Sequence, residues 1–460
     1  MIDVLLSRLN QGNEPTGPLV DRALGETAMR RVGVEAIEIG ISGHPSADKQ
    51  ISSLLREARV LGSKERRLVS DTVYGAVRDW KTLCCLLEMG GLPEASPAAL
   101  WAAQLLVSQG ASPALAVQET GLDCFQPSAD ALKSLRTWYE TNTPTASETI
   151  ATLASLPQWL ASRLVTQYGD NEAANIAAAL CQRAPTTLRV NRAKVQREVL
   201  ADLLLEAEVQ TTQGTLTEDS LHVMNRANLR GLDVFREGLF EIQDEGSQLV
   251  SELVEPSQGG LTVDYCCGAG GKSLAIAHRL PRRSRIVGLD IRESAIREAR
   301  RRTKRAGCTR SEFHLIEAQG PLPIEGQSAH RVLVDTPCTG TGRFRRQPAS
   351  RWSLREDQLT DLVQTQNRIL ERAATLVRPK GRLIYATCSL LTEENEGIVT
   401  SFLQKNPTWK LLPVKEVLGR RRARKAGDGT TLQTRPDLHG TDGFFAAILV
   451  RQDLAEASDN

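Results

Sequence analysis

At 460 residues the chain is too long for one ordinary domain, and two or three are expected. Hydrophobic residues make up 41% and charged residues 24%, so the chain reads as globular and soluble, with a core in each domain. The 57 Lys and Arg against 55 Asp and Glu leave a net charge of only +2, so overall charge singles out no class of partner. Nine cysteines form no CxxC pair and the six histidines do not cluster with them, which speaks against a disulfide framework and a zinc site and for a reduced, cytoplasmic compartment.

In chain order, the N-terminal "MIDVLLSRLN" carries Asp3 within a very short apolar run and is not a signal peptide, and no apolar stretch is long enough to span a membrane. Residues to about 145 read as helical. "ADKQISSLLREARVL", "SKERRLVSDTVYGAVRDWKTLCCLLEMG" and "SPAALWAAQLLVSQG" place apolar residues at three- and four-residue steps. "TNTPTASET" reads as a linker. Two helices, "LPQWLASRLVTQYG" and "NEAANIAAALCQRA", then lead into a strand, "TTLRVN", and residues 146–238 read as a small α+β unit.

From Leu239 the texture changes. The apolar runs "LTVDYCC", "SRIVGLDI", "EFHLI", "HRVLVD" and "GRLIYATCS" alternate with helical stretches, the pattern of a parallel sheet flanked by helices. "TWKLLPV" and "GFFAAILVRQ" are expected to close it as an antiparallel pair, which carries the domain to about residue 452, with a polar tail over 453–460. Local basic runs stand out against the neutral whole: Arg282, Arg283 and Arg285; "REARRRTKRAG", a helix ending at Gly307; Arg343, Arg345, Arg346 and Arg351; and "GRRRARK". Together they suggest a face that meets phosphates, although any one run alone is ordinarily a solvated face.

"VDYCCGAGGKS" is a strand running into a glycine-rich turn and a helix. Gly268 and Gly271 have two residues between them, so a Walker loop fails, and the dinucleotide fingerprint lacks its last glycine. A loop that holds S-adenosylmethionine remains. Asp290, ending the next strand, is placed to accept from ribose hydroxyls, and it can cap the following helix as well. Glu317 ends a third strand and is a candidate partner for an adenine amino group. The fourth strand ends in "DTPC" and the fifth in "ATCS". If these strands are neighbours, Asp335, Cys338 and Cys388 enter one crevice. Two thiols and a carboxylate suit carbon methylation of a pyrimidine, in which one thiolate adds to C6 and activates C5. Strand-end cysteines are often only core, the reading given to Cys84, Cys85, Cys124, Cys181 and Cys308.

These motifs resemble the Sun/RsmB family of RNA cytosine-5 methyltransferases. "DYCCGAGGKS", "LVDTPCTGTGRFRRQPASRW" and "IYATCSLLTEENE" carry the resemblance, with "LRVN", "QDEGSQLV" and "DGFFAAILV" beside them. The helical N-terminus, through "SKERRLVSDTVYGAVRDW", resembles a NusB-like RNA-binding domain. The resemblance implies an α/β, Rossmann-like class I methyltransferase domain over 239–452, preceded by an all-α NusB-like domain over 1–145 and a small α+β RNA-binding or linker segment over 146–238. It implies Cys388 as nucleophile, Cys338 as promoter of release, Asp335 on the cytosine and Lys272 nearby. Cys266, Cys267, Gly268, Ala269, Gly270, Gly271, Lys272, Asp290, Glu317 and Asp335 would line S-adenosylmethionine. The expected partner is RNA, small-subunit ribosomal RNA in particular, with no membrane and no metal, and the chain is expected to act as a monomer. Two departures stand out: Gly268-Ala269 replaces the family's Ala-Pro, and Glu317 replaces an Asp. A non-catalytic ribosome-assembly factor and a DNA cytosine methylase are the competing readings.

Overall fold

A computed structural model describes residues 1–10, 17–25 and 27–452, so the tail expected over 453–460 lies outside the described residues. The chain divides into two compact units. One comprises Met1–Arg183 with Arg343–Gln358, the other Ala184–Gly342 with Leu359–Asn460. Among the described residues no helix is long and apolar enough to cross a membrane.

The first unit is helical. Pro97–Gln109 starts on Ser96, whose hydroxyl accepts from the Ala99 N–H, and stops at Gly110 in the left-handed conformation. The helical stretch from Ser63 is two helices, Ser63–Arg78 and Trp80–Met89, separated at Asp79. Asp79 accepts a salt bridge from Arg8, so the break serves a tertiary contact that periodicity does not reveal. The expected linker is also structured. Ala131–Asn142 runs into it, and Ala146–Leu153 begins within it on a capping box, Thr145 with Glu148. That helix and the next two, Gln158–Tyr168 and Asp170–Leu180, pack with one another, and the first and last of the three pack on the helix Ile2–Ser7. By its internal contacts the helical unit extends to Arg183.

Residues 343–358 belong to this helical unit, and two of their arginines are not free to meet phosphate. Arg345 is buried and Arg351 is fully buried. The Arg351 guanidinium donates to the carbonyls of Arg78 (3.3 Å), Ala154 (3.4 Å), Ser155 (3.1 Å) and Leu180 (3.2 Å). These are carbonyls at helix ends, which lack partners within their own helices. Trp352 packs edge-on against Trp80 at 4.7 Å, and Asp48 accepts from the N–H groups of Ala349 and Ser350.

The second unit has two sheets. In the small one, β1 (Thr186–Val190), β2 (Thr211–Gln213), β3 (Ser220–Val223) and β4 (Phe240–Ile242) are antiparallel in the order β2-β3-β1-β4. The large one contains β5 (Leu261–Asp264), β6 (Arg285–Asp290), β7 (Ser311–Leu315), β8 (Ala329–Asp335), β9 (Val377–Thr387), β10 (Trp409–Leu412), β11 (Leu432–Thr434) and β12 (Phe444–Arg451). Its order is β7-β6-β5-β8-β9-β12-β10, with β11 added to β12. The first five strands are parallel, and β12 joins β9 and β10 antiparallel. This is the expected Rossmann-like sheet with its antiparallel edge.

Two-residue alternation gives each parallel strand two apolar faces. Val332, Val334, Leu383 and Tyr385 enter one core, and Leu333, Ile384 and Ala386 enter the other. Strand order reverses between β5 and β8, so the crevice at their carboxyl ends is where a ligand is accommodated.

Replacing Arg351 with Ala would leave four helix-end carbonyls without their donor inside the helical unit. The expected loss is about 3–5 kcal/mol. It is read from the urea midpoint of the full chain by tryptophan fluorescence, since five of the six tryptophans lie in that unit. A midpoint shift equivalent to under about 1 kcal/mol would show that water replaces the guanidinium.

Candidate active site

Three neighbouring strands each end in a carboxylate. Asp264 closes β5, Asp290 closes β6 and Asp335 closes β8. Asp264 is fully buried. Its Oδ2 accepts from Ser273 Oγ at 2.5 Å, and its Oδ1 has no hydrogen-bond partner. Burial dominates and raises this acid to about 7, opposed by the Ser273 hydrogen bond and by Lys272, and reinforced by Asp335 and Asp290. Asp264 was not among the residues expected at the site. Its place at a strand end, matching Asp290 and Asp335, was the available signal.

The glycine loop follows β5. Gly268 (φ +53°) and Gly270 (φ +76°) are left-handed, and a side chain at Gly268 would find only the Arg292 guanidinium within 4 Å, at 3.6 Å. The Gly268 N–H donates to Asp290 Oδ2 at 2.8 Å. Asp290 Oδ1 accepts from the Arg292 N–H at 2.9 Å, so it holds the turn before the helix Glu293–Ala306 rather than capping it as expected, since the N-cap is Arg292, and the Arg292 guanidinium also lies on this carboxylate. That guanidinium is on an exposed, flexible arm and can yield to ribose hydroxyls. The missing proline of the loop is offset from outside. Arg302 Nη1 donates to the Ala269 carbonyl and Arg189 Nη1 to the Gly271 carbonyl, each at 2.9 Å. Arg189 was missed because it sits on β1, far away in sequence; Arg302, on the helix Glu293–Ala306, was read with a basic run that meets phosphates, but it is largely buried and paired with Glu241.

Cys266 is partly buried and Cys267 is buried against Ile296, Ala299 and Phe313, so Cys267 can offer a ligand only its backbone. Burial raises both thiols well above the usual range. Glu317 lies two residues past the end of β7 and is exposed. Its carbonyl accepts from Arg372 Nη1 at 2.9 Å, and the same guanidinium also holds the carbonyls of Ala318 and Gly320. The residues fit S-adenosylmethionine: the strand-end acids Asp264 and Asp290 offer acceptors to a ligand rich in donors, one buried Asp264 oxygen lacks a partner, and the turn at Gly268 is open.

The remaining expected residues meet at the ends of β8 and β9. These strands are parallel neighbours, with Asp335 paired to Ala386. Cys338 follows β8 by three residues and Cys388 follows β9 directly. Their sulfurs are 3.3 Å apart, within sulfur hydrogen-bond distance. Lys272 Nζ, from the first turn of the helix Gly271–Ala277, is 2.5 Å from Asp335 Oδ2 and lies 5.1 Å from the centre of the Phe444 ring. The Cys338 thiol is held well above the usual range, first by its hydrogen bond with Cys388, then by burial, and further by the charges of Cys388 and Glu394.

The family model described as 16S rRNA methyltransferase RsmB/F matches residues 251–450, and one described as the RsmF/B-like ferredoxin-like domain matches residues 156–230. The probable ribosomal RNA small subunit methyltransferase B of Bacillus subtilis (strain 168) is 30% identical over 298 residues, 64% of this chain and 66% of that protein. The ribosomal RNA small subunit methyltransferase B of Vibrio cholerae is 31% identical over 297 residues, 64% of this chain and 65% of that protein. The chain thus matches just under two thirds of the length of these relatives. Among solved structures, PH0851 aligns with a TM-score of 0.74 at 24% identity, covering 95% of this chain and 100% of that one. A methyltransferase homolog from Pyrococcus horikoshii aligns at 0.57 and 24%, covering 67% and 99%. At that identity the two structures share the fold.

The buried Asp264 makes stability depend on pH. Its folded-state value of about 7 exceeds the unfolded carboxyl value, so the folded chain holds a proton that the unfolded chain releases. The penalty is absent below about pH 4, grows as pH rises and is complete above about pH 7, with a ceiling of roughly 4 kcal/mol. Asp264→Asn removes it. The melting temperature of the variant should gain on the native chain between pH 4 and pH 8. A constant difference across that range would mean that Asp264 titrates normally.

Proposed function

We propose that the chain, whose residues 251–450 match the RsmB/F methyltransferase family model, transfers a methyl group from S-adenosylmethionine to C5 of a cytosine in small-subunit ribosomal RNA. The observation that carries the cytosine assignment is the pair of thiols 3.3 Å apart beside the Lys272–Asp335 pair. Amino or hydroxyl methylation needs no sulfur nucleophile. Carbon methylation of a pyrimidine does, because C5 of cytosine does not attack a methyl donor unaided.

Cys388 performs the addition. As its sulfur bonds to C6, the C5=C6 electron pair moves through C4 toward N3, which takes a proton from the acid held between Asp335 and Lys272. C5 of the resulting enamine is then nucleophilic. When bound, S-adenosylmethionine supplies an electrophilic methyl group, and the Gly268–Lys272 loop, Asp290 and Glu317 would hold it. After transfer, a base removes the C5 proton, the C5=C6 bond reforms as the Cys388 sulfur leaves, and N3 returns its proton to the Asp335–Lys272 pair. Cys338 promotes this release. The hydrogen bond with Cys388 and burial raise the Cys338 thiol, and the division of roles between the two thiols is the one the family resemblance implies. The helical unit, with the NusB-like resemblance of its Ser63–Trp80 stretch, and the exposed arginines Arg420, Arg421 and Arg424 would bind RNA phosphates.

Methyl transfer from labelled cofactor to small-subunit rRNA, followed by bisulfite sequencing, tests the site of methylation; label on any atom but C5 would sink the proposal. The thiols test the mechanism. Cys338→Ala should add and methylate, then stall, leaving a protein–RNA band that survives denaturation. Cys388→Ala and the double variant should give no band and no product. A band with Cys388→Ala and none with Cys338→Ala would reverse the two roles.

A further inference from the structure

We infer that Glu394 is a positioning residue whose buried carboxylate ties the Cys338 segment to the Cys388 segment and sets the separation of the two sulfurs. Glu394 sits in a short 3-10 turn seven residues after β9 and is fully buried. Its Oε1 accepts from the Thr339 N–H at 2.8 Å and from Gln366 Nε2 at 2.8 Å. Its Oε2 accepts from Thr339 Oγ1 at 2.5 Å and from Ser389 Oγ. Thr339 directly follows Cys338, and Ser389 directly follows Cys388. One side chain therefore holds the residue after each thiol.

Neighbouring groups complete the tie. Gln366 Nε2 also donates to the Pro337 carbonyl at 3.0 Å, on the other side of Cys338. Asn395 Oδ1 accepts from Thr387 Oγ1 at 2.5 Å, and its Nδ2 donates to the Ser389 carbonyl at 3.1 Å, so Cys388 is bracketed as well. Tyr385 Oη donates to the Glu394 carbonyl at 2.6 Å and fixes the turn itself.

A fully buried carboxylate is costly unless its lone pairs are filled. Here four neutral donors from three separate segments fill them. An amide would present an N–H₂ group to the Thr339 and Ser389 hydroxyls, which would have to turn from donating to accepting, whereas the carboxylate accepts all four donors as they stand. Its negative charge also adds to the raising of the Cys338 thiol, which the Cys388 hydrogen bond and burial dominate. The consequence is geometric. C6 and C5 are bonded atoms of one ring, so two sulfurs that serve them must be held within a fraction of an ångström. A shift of about 1 Å at such a site costs on the order of 100-fold in rate.

The functional consequence rests on the proposed roles of the two thiols, so the test begins with a readout that needs no RNA. Diamide, an azodicarboxamide, takes two electrons and two protons from a thiol pair. The S–S bond forms and the N=N bond is reduced to the hydrazine. The rate of Cys338–Cys388 disulfide closure, mapped by mass spectrometry on the full chain, reports how closely the sulfurs are held. Glu394→Gln should close about tenfold or more slowly, and the milder Thr339→Val about threefold more slowly, with cofactor affinity by calorimetry within about twofold of native in both. In single-turnover methylation Glu394→Gln should lose about 10–100-fold in rate with the KM for RNA within about threefold. Native closure rates in the two variants would overturn the inference. So would a loss of cofactor affinity that parallels the slower closure, because that pattern marks general unfolding. If Glu394→Gln does not fold, Thr339→Val decides alone. Should the native chain transfer no methyl group while closure still depends on Glu394, the functional reading falls and the positioning role stands.

Discussion

The register of β8 against β9 is the constraint on which the rest depends. Parallel pairing aligns Val334 with Tyr385 and Asp335 with Ala386, so the two chains leave the sheet at the same level and on the same edge. A slip of one residue would reverse the faces. Leu383 and Tyr385 would exchange cores with Ile384 and Ala386, and both cores would be lost. The apolar alternation that builds the domain is thus the same feature that brings Cys338 and Cys388 together. β5 lies on the other side of β8 in equally fixed register, which carries the glycine loop and Lys272 to the same edge.

Polarity gathers where that apolar order stops. Charged groups, buried or partly buried, cluster at or beyond the strand ends where the sheet itself cannot satisfy them, and the solutions differ. Asp335 takes a cation, Lys272. Glu394 takes four neutral donors. Asp264 takes only one, which is why burial prevails and its proton is retained up to about pH 7. Asp290 is shared between backbone N–H groups and an exposed arginine. A fully paired group is rigid, while one with a spare lone pair can receive a ligand. The pairing of these acids therefore divides the crevice into a fixed part around the thiols and a receptive part around the glycine loop.

The strands that bear the site were legible because two-sided burial writes an unbroken apolar run, as in "HRVLVD" and "GRLIYATCS". The meeting of the two thiols was legible as a condition, that the fourth and fifth strands be neighbours, and β8 and β9 meet it. β11 escaped notice because three residues, Leu432–Thr434, are too few for a period to register. Arg351 was read as a phosphate contact because a guanidinium announces charge in sequence, whereas its burial depends on four carbonyls from three distant segments. Glu394 stood inside a quoted motif without a role, since nothing local shows that Thr339, 55 residues earlier, would donate to it. Local chemistry is readable where its partners are local or lie at strand ends; a residue defined by distant donors is not.

The connection between the two thiol strands adds a final constraint. After Cys338 the chain leaves the second unit at Gly342, contributes residues 343–358 to the helical unit, and re-enters at Leu359. Such an excursion would let the Cys338 segment drift unless its last residues were pinned. They are. The Gly342 N–H donates to the Cys388 carbonyl at 3.0 Å, and the Gly342 carbonyl accepts from the Gly443 N–H at 2.9 Å. A side-chain carbon on Gly342 would lie 2.2 Å from the Gly443 carbonyl oxygen, so only glycine permits this approach. Thr341 adds its hydroxyl to the Leu390 N–H at 2.8 Å. Through Gly342, Thr341 and Glu394, each segment next to a thiol is held by the segment next to the other. The spacing of the sulfurs is therefore a property of the second unit alone, insulated by those bonds from the sixteen residues that the loop lends to the helices.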